Sequence, residues 1–266
     1  MPIAFSHSTN HGLPFSAPIT LSAPGDVNQG SEPAVGPNGE VYVSWIRLSP
    51  APQVVMLARS LNGGRSFSAP VAVAPLTNIG FVSGNLSGNF RVLSWPRIDV
   101  NPVNGNVYVV YASNPAGPDG ADIFLTASLD RGNTWSAPIR VNDDNTENDQ
   151  FFPDVAVNSQ GVVEVIWYDR RNDPENMLID VYRARVAANG RAVMPNEKLT
   201  SVSFPPAVGY DPVVSPTYMG DYLDVKSILT PTGGRVGFAA AWGDNRRKIV
   251  TAGGIRHDQD VFFRLF

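Results

Sequence analysis

The stretch SLDRGNTWSAPIRV, residues 128–141, decides the fold because the chain contains it three times in diverged form. SLNGGRSFSAPVAV occupies residues 60–73, and STNHGLPFSAPITL occupies residues 8–21. Each copy has serine, then aspartate or asparagine two residues on, glycine two further, an aromatic three later, and Ser-Ala-Pro. Internal repetition of this kind is typical of repeat architectures, so it governs the rest of the interpretation.

Each copy has the composition of a tight turn between two strands. The shared positions are Ser8, Asn10, Gly12 and Phe15; Ser60, Asn62, Gly64 and Phe67; and Ser128, Asp130, Gly132 and Trp135. A short Asp or Asn side chain accepts backbone N–H bonds within a turn, and glycine takes a positive φ without strain. The aromatic ring is then expected to pack between neighbouring strands.

Buried strands precede the turns. The runs VYVSW, VYVVY, VEVIW and VGFAAAW end at Trp45, Tyr111, Trp167 and Trp242, and strand-like segments lie on both sides of each run. The sequence therefore predicts an all-β, single-domain β-propeller over residues 1–266, with four-stranded antiparallel blades. We count four repeats plus a partial one at residues 2–21. Its API strand either completes the last blade, or the chain is part of a larger, six-bladed ring.

Composition narrows the class of partner. The chain has 20 basic and 24 acidic residues, a net charge of −4 and no cysteine. Neither a nucleic-acid groove nor binding to an anionic membrane is expected, because both need concentrated Lys and Arg. We find no apolar run long enough for a membrane span and no signal peptide in Met-Pro-Ile-Ala-Phe-Ser. The sequence predicts no oligomeric state.

Loop lengths point to one face of the disc. The turns between first and second strands are minimal, whereas the loops on the opposite face are long and polar, so we expect the site there. Arg97, Asp154 and either Asp221 or Asp224 hold roughly equivalent positions in successive first strands. They form either an anion-binding site beside an acid/base pair or a structural salt-bridge network.

Two further motifs allow two interpretations each. The pattern W-x-D-x-R pairs Asp169 with Arg171, which follows Arg170, and Asp244 with Arg246. Such pairs either clamp a sugar carboxylate or fix their own loops. The acidic run 143–149 is a possible calcium site without the spacing of a calcium-binding loop, and the three histidines form no metal triad. No metal site and no other cofactor is predicted.

The three turns, together with WYDRRNDPENMLIDVYRARV from Trp167, YMGDYLDVKSI from Tyr218, WGDNRR from Trp242 and the closing DQDVFF, resemble the Asp-box (BNR-repeat) sialidase-like family. The resemblance covers essentially the whole chain. It implies an extracellular or cell-surface propeller that acts on glycans. Sialidases of this family use an arginine triad, an Asp acid/base, a Tyr–Glu nucleophile pair and an Arg-Ile-Pro motif. Here the nearest match, Trp95-Pro96-Arg97-Ile98-Asp99, has its proline on the other side.

Two functions follow as hypotheses. In the first, the chain is a sialidase-like exo-glycosidase with Asp154, Asp221 and Tyr222 as candidate catalytic residues. Its candidate ligand-binding residues are Arg97, Asp169, Arg170, Arg171, Asp244 and Arg246. In the second, it is a non-catalytic propeller that binds a glycan or a protein. Whether it is an enzyme stays open at this point.

Overall fold

The computed structural model describes residues 1–80, 86–114, 118–206, 219–229, 236–251 and 253–266. Within these ranges all regular structure is β-strand. The chain opens with a short antiparallel pair, β1 (Ala4–Phe5) and β2 (Ile19–Thr20), and continues into four antiparallel sheets. In the described ranges no helix has the length and hydropathy needed to cross a membrane.

Each sheet is formed by strands that follow one another in the chain. Sheet 1 consists of β3 (Val27–Val35), β4 (Val41–Ser49), β5 (Val54–Ser60) and β6 (Val71–Pro75). Sheet 2 consists of β7 (Arg97–Val100), β8 (Val107–Ser113), β9 (Asp122–Ser128) and β10 (Ile139–Arg140). Sheet 3 consists of β11 (Gln150–Val157), β12 (Val163–Asp169), β13 (Asp180–Val186) and β14 (Glu197–Lys198). Sheet 4 consists of β15 (Leu223–Leu229), β16 (Val236–Thr251) and β17 (Gly254–Leu265).

The sheets meet through their first strands. β3 contacts β7, β7 contacts β11, and β11 contacts β15. Apolar layers fill the spaces between successive sheets: one joins β1 and β2 to sheet 1, one joins sheets 1 and 2, and one extends through sheets 2, 3 and 4. All residues of β8 and β12 are buried, as expected for strands covered on both faces. Non-directional burial of these layers holds the sheets in their side-by-side order.

The three repeated turns share one hydrogen-bond pattern. The hydroxyl of Ser128 accepts from Gly132 N at 2.7 Å and donates to Asp130 Oδ1, which in turn accepts from Thr134 N at 2.8 Å. The turns at residues 8–15 and 60–67 repeat the serine–glycine contact at 3.0 and 2.9 Å. In all three the glycine has a positive φ, as predicted. Phe15 differs from the prediction: its side chain is 64% exposed and does not pack between strands.

Two further features differ from the sequence prediction. The API strand pairs with β1 in a separate two-stranded sheet and, within the described ranges, does not join sheet 4. The segment 244–247, predicted as a loop, lies inside β16, which forms a long ribbon with β17 and carries a bulge between Asp244 and Arg247. The last first-to-second-strand turn (230–235) and most of the loop predicted over 210–222 lie outside the described residues.

Candidate functional site

The register of the sheets aligns one position in all four first strands. The aligned pairs are Glu32 with Ser44, Arg97 with Val110, Asp154 with Ile166, and Asp224 with Ala241. In each pair the second residue directly precedes the aromatic residue of its strand. The register therefore selects Asp224 rather than Asp221 as the equivalent of Arg97 and Asp154. It also adds Glu32, which the sequence interpretation missed. We call these four side chains the charged layer.

Direct contacts link the members of the charged layer. Arg97 Nη1 donates to Glu32 Oε2 at 3.0 Å, and Arg97 Nε lies 3.6 Å from Asp154 Oδ1. Asp154 Oδ2 accepts from the backbone N of Val225 at 2.8 Å. Lys226 Nζ donates to Asp224 at 2.6 Å and lies 3.9 Å from Asp154. The layer thus joins all four sheets at their innermost strands.

Protonation within the layer is uneven. Asp154 is only 2% exposed, and burial raises its pKa, although Arg97 and Lys226 act to lower it. Burial also acts to raise the pKa of Asp224, but hydrogen bonds from Lys226 and Asp154 lower it overall. Burial thus favours the protonated form of Asp154, whereas the contact with Lys226 favours the carboxylate form of Asp224.

A cavity of about 160 Å³ lies above the charged layer, between the first strands of sheets 1 and 3 and the segments that lead into the first strands of sheets 2 and 4. Its charged lining residues are Glu32, Arg97 and Asp221. Burial raises the pKa of Glu32 despite its contact with Arg97. Asp221 is held by the guanidinium of Arg91, whose Nε donates at 3.2 Å and whose Nη2 donates to the second carboxylate oxygen. The cavity, which we call the axial pocket, lies on the face with the long loops.

Backbone bulges shape two sides of the axial pocket. β3 is shifted by one residue between Gln29 and Glu32, and β11 is shifted in the same way between Phe151 and Asp154. Gly30 and Phe152, each two residues before a member of the charged layer, have φ values of 65° and 48°. Such a φ is unstrained for glycine but is an outlier for a bulky residue. Backbone strain of this kind clusters at functional sites.

Aromatic side chains form one wall. The rings of Trp95 and Tyr222 lie with centroids 5.8 Å apart, and the Arg97 guanidinium lies 5.4 Å from the Tyr222 ring centroid. Gly30 allows this arrangement, because a Cβ there would lie 2.3 Å from Cδ1 of Trp95. Tyr222, the predicted candidate nucleophile, is 56% exposed and lines the pocket with this ring.

The two W-x-D-x-R motifs have the same internal geometry. Asp169 accepts from Trp167 Nε1 at 2.7 Å and from Arg171 Nε at 3.0 Å. Asp244 accepts from Trp242 Nε1 at 3.3 Å and from Arg246 Nε at 2.9 Å. Both aspartates are completely buried, and each arginine covers an aromatic ring of the next strand, Tyr182 or Phe262. These four predicted ligand-binding residues are therefore engaged with their own sheets and do not line the axial pocket.

Arg170, also predicted to bind ligand, is completely buried. Its Nη1 donates to the carbonyls of Ser87 and Asn176 at 2.8 and 3.0 Å. Its guanidinium lies 5.0 Å from the Phe90 ring centroid, and burial lowers its pKa to about 10. Arg170 therefore anchors the segment that leads to Arg91, and in this position it does not reach the axial pocket.

The acidic run 143–149 is engaged in local contacts. Asp143 binds Arg171 at 2.6 Å, and Asp144 accepts from Asn142 Nδ2 at 2.8 Å. Among the residues that the structure describes, no three His, Asp or Glu side chains are grouped as a metal site.

No protein family and no curated protein matches the sequence of the chain. Solved structures do match its fold. The GH93 alpha-L-arabinofuranosidase of Fusarium graminearum, in complex with arabinobiose, has a TM-score of 0.55 at 14% identity, over 90% of this chain and 62% of that one. The alpha-L-arabinanase of Penicillium chrysogenum, also with arabinobiose, has a TM-score of 0.52 at 17% identity, over 89% and 63%. A Hadza microbial sialidase has a TM-score of only 0.45 at 12% identity, over 83% and 54%.

The likenesses to the Fusarium and Penicillium structures, together with the contacts between first strands, decide the fold. It is a β-propeller. The four sheets are blades whose innermost strands carry the charged layer. The propeller spans about three fifths of the length of the structures it matches.

Proposed function

We propose that this propeller acts on glycans at the axial pocket, as a glycoside hydrolase. The observation that carries the proposal is a pair of carboxyl groups, Glu32 and Asp221, that line one small cavity in different environments. Carboxyl groups whose surroundings differ in this way provide the acid and the base of glycoside hydrolysis.

The environments suggest the roles. The raised pKa of Glu32 suits a proton donor to the leaving glycosidic oxygen. Asp221, whose charge is balanced by Arg91, suits the carboxylate that activates water or attacks the anomeric carbon. If Asp221 activates water, it takes the proton of that water while Glu32 protonates the leaving oxygen, and the proton then passes from Asp221 to Glu32 through solvent. If Asp221 attacks the anomeric carbon, the resulting glycosyl ester is cleaved by a water molecule whose proton goes to Glu32. Asp154 lies beneath Arg97 and acts in this proposal as a positioning residue.

Two other observations support a glycan as ligand. The Trp95–Tyr222 wall offers aromatic faces of the kind on which sugar rings stack, and the strained Phe152 backbone lies beside it. The similar Fusarium and Penicillium structures both contain arabinobiose. The three repeated turns also support placement of the chain in the Asp-box group, and with it an extracellular location.

A glycan-binding module without catalysis is the second candidate. It is favoured by the fact that Glu32 and Asp221 each already contact an arginine, which restricts their movement toward a substrate. In that case the pocket binds a terminal sugar and the bond stays intact.

Hydrolysis of a panel of 4-nitrophenyl glycosides, covering pentosides, hexosides and a sialoside, tests the proposal. Glu32→Gln and Asp221→Asn are each expected to lower kcat by about 10²–10⁴-fold. The matched control is Glu197→Gln, since Glu197 also pairs with an arginine, Arg183 at 2.6 Å, but is 64% exposed and remote from the pocket. Thermal melting verifies folding of all three. Saturable binding without turnover favours the binding module, and absence of both refutes the proposal.

A further inference from the structure

We infer that the axial pocket takes an uncharged sugar residue and rejects sugar acids, because its arginine is already paired and its other charged lining groups are carboxylates. The inference rests on the proposed function and specifies its substrate class. It differs from what the sialidase resemblance implies, namely a carboxylate-bearing sugar held by free arginines.

The first step concerns the cations. Recognition of a carboxylate needs a guanidinium with its fork of N–H groups available. Arg97 is the arginine that lines the pocket within the described ranges, and its Nη1 and Nε face Glu32 and Asp154. Arg91 uses the Nε–Nη2 edge of its guanidinium to bind both carboxylate oxygens of Asp221. An incoming sugar carboxylate would have to displace one of these internal partners.

The second step concerns the anions. A ligand in the pocket lies against Glu32 and Asp221, and Asp224 lies in the layer below. The carboxylate of Asp221, which is 6% exposed, repels a ligand carboxylate in the pocket, and this low exposure limits screening by solvent. Hydroxyl groups face no such penalty, since each one donates a hydrogen bond to a carboxylate oxygen.

The third step concerns the apolar lining. Trp95 and Tyr222 contribute ring surface, and Leu93 and Phe152 contribute further apolar surface. The C–H faces of a neutral sugar pack on such surfaces without desolvating a charge. The cavity of about 160 Å³ is below the range of ~300–1,000 Å³ typical of sites for drug-sized ligands, so one sugar residue is the expected occupant.

Matched sugar pairs test the inference. Calorimetry or ligand-observed NMR compares the methyl glycosides of glucose and glucuronate, galactose and galacturonate, and mannose and mannuronate, with N-acetylneuraminate added. Members of a pair differ only in the group at C6. The expected result is that the wild-type chain binds the neutral member of its preferred pair at least about tenfold more tightly.

A variant adds a second readout. Glu32→Gln replaces the carboxyl group that pairs with Arg97 by an amide, which accepts from Arg97 more weakly, and is expected to narrow the preference to about threefold or less, since the guanidinium is then more available to a sugar acid. Glu197→Gln, which alters an arginine pair outside the pocket, is expected to leave the preference unchanged. Equal or tighter wild-type binding of the acids overturns the inference and leaves the glycan function standing. If neither this panel nor the 4-nitrophenyl glycosides, pentosides included, bind, both the inference and the proposed function are overturned. The wild-type comparison decides even if Glu32→Gln fails to fold.

Discussion

Replacing Gly30 by alanine is expected to destabilise the propeller by more than a left-handed backbone alone explains. Gly30 has a φ of 65°, and a Cβ there would lie 2.3–2.8 Å from three atoms of Trp95. Gly25 has a similar φ of 87° but no atom within 4 Å of a built Cβ. Gly25→Ala therefore reports backbone strain, and Gly30→Ala reports strain plus overlap with the indole.

The magnitudes follow from these two contributions. Alanine in a left-handed conformation costs about 1–2 kcal/mol, which both variants share. Overpacking at Trp95 adds about 1–3 kcal/mol for Gly30→Ala only. The free energy of unfolding is measured by urea denaturation of both variants and the wild type, with the slope checked for constancy. If Gly30→Ala is no less stable than Gly25→Ala, the packing of Trp95 on Gly30, and with it the geometry of the pocket wall, is refuted.

Three further predictions concern the charged layer, the buried pairs and the repeated turns. Because the folded-state pKa of Asp154 is raised, the stability it contributes is complete below the unfolded pKa near 3.8 and is lost as pH rises through the folded value. Urea denaturation at several pH values should therefore show a free energy of unfolding that falls as pH rises, and Asp154→Asn should remove this fall. The same pH dependence in Asp154→Asn as in the wild type contradicts the assignment. Asp169→Ala leaves the buried Trp167 Nε1 without its acceptor and Arg171 with Asp143 as remaining partner, and should cost about 1–3 kcal/mol by thermal unfolding; no measurable loss contradicts this. Ser128→Ala leaves the buried Gly132 N–H unpaired and should cost about 1–3 kcal/mol, whereas the less buried equivalent Ser8→Ala should cost less, and equal losses argue against burial as the cause.

The blades were predictable because the repeat carries its own physical explanation. Serine, a short side-chain acceptor and glycine at fixed spacing close the turn, and the apolar runs before it are buried on both faces. The ribbon of β16 and β17 was not predictable in this way. Its residues 244–249 are mostly polar and charged, and such a composition is typical of a loop. That these residues form a strand follows from their pairing with β17, a pairing that begins at Thr251 and Gly254.

The site was only partly predictable, because residues that share a register need not share a sequence motif. Arg97 and Asp154 each follow a proline, whereas Glu32 precedes Pro33, so an alignment on the prolines misses Glu32. The strand register supplies the missing information. In each sheet, the equivalent position is the first-strand residue that pairs with the residue just before the aromatic of the second strand. The same rule selects Asp224 over Asp221. The contacts of Arg170 and Arg171 could not be derived from motif spacing, because they depend on which side chains the neighbouring sheets bring close.

The bulges in β3 and β11 also separate two kinds of constraint along one strand. Each bulge accommodates one extra residue between the start of the strand, at the rim of the axial pocket, and the inner segment that begins at Glu32 or Asp154. Side chains before the bulge therefore alternate out of phase with those after it. Lengthening or exchanging rim residues therefore leaves the alternation of the inner segment intact, whereas any insertion below the bulge would turn Glu32 or Asp154 away from the axis. Substitutions at the pocket rim can therefore change ligand preference while Glu32 and Asp154 keep their spacing in the charged layer.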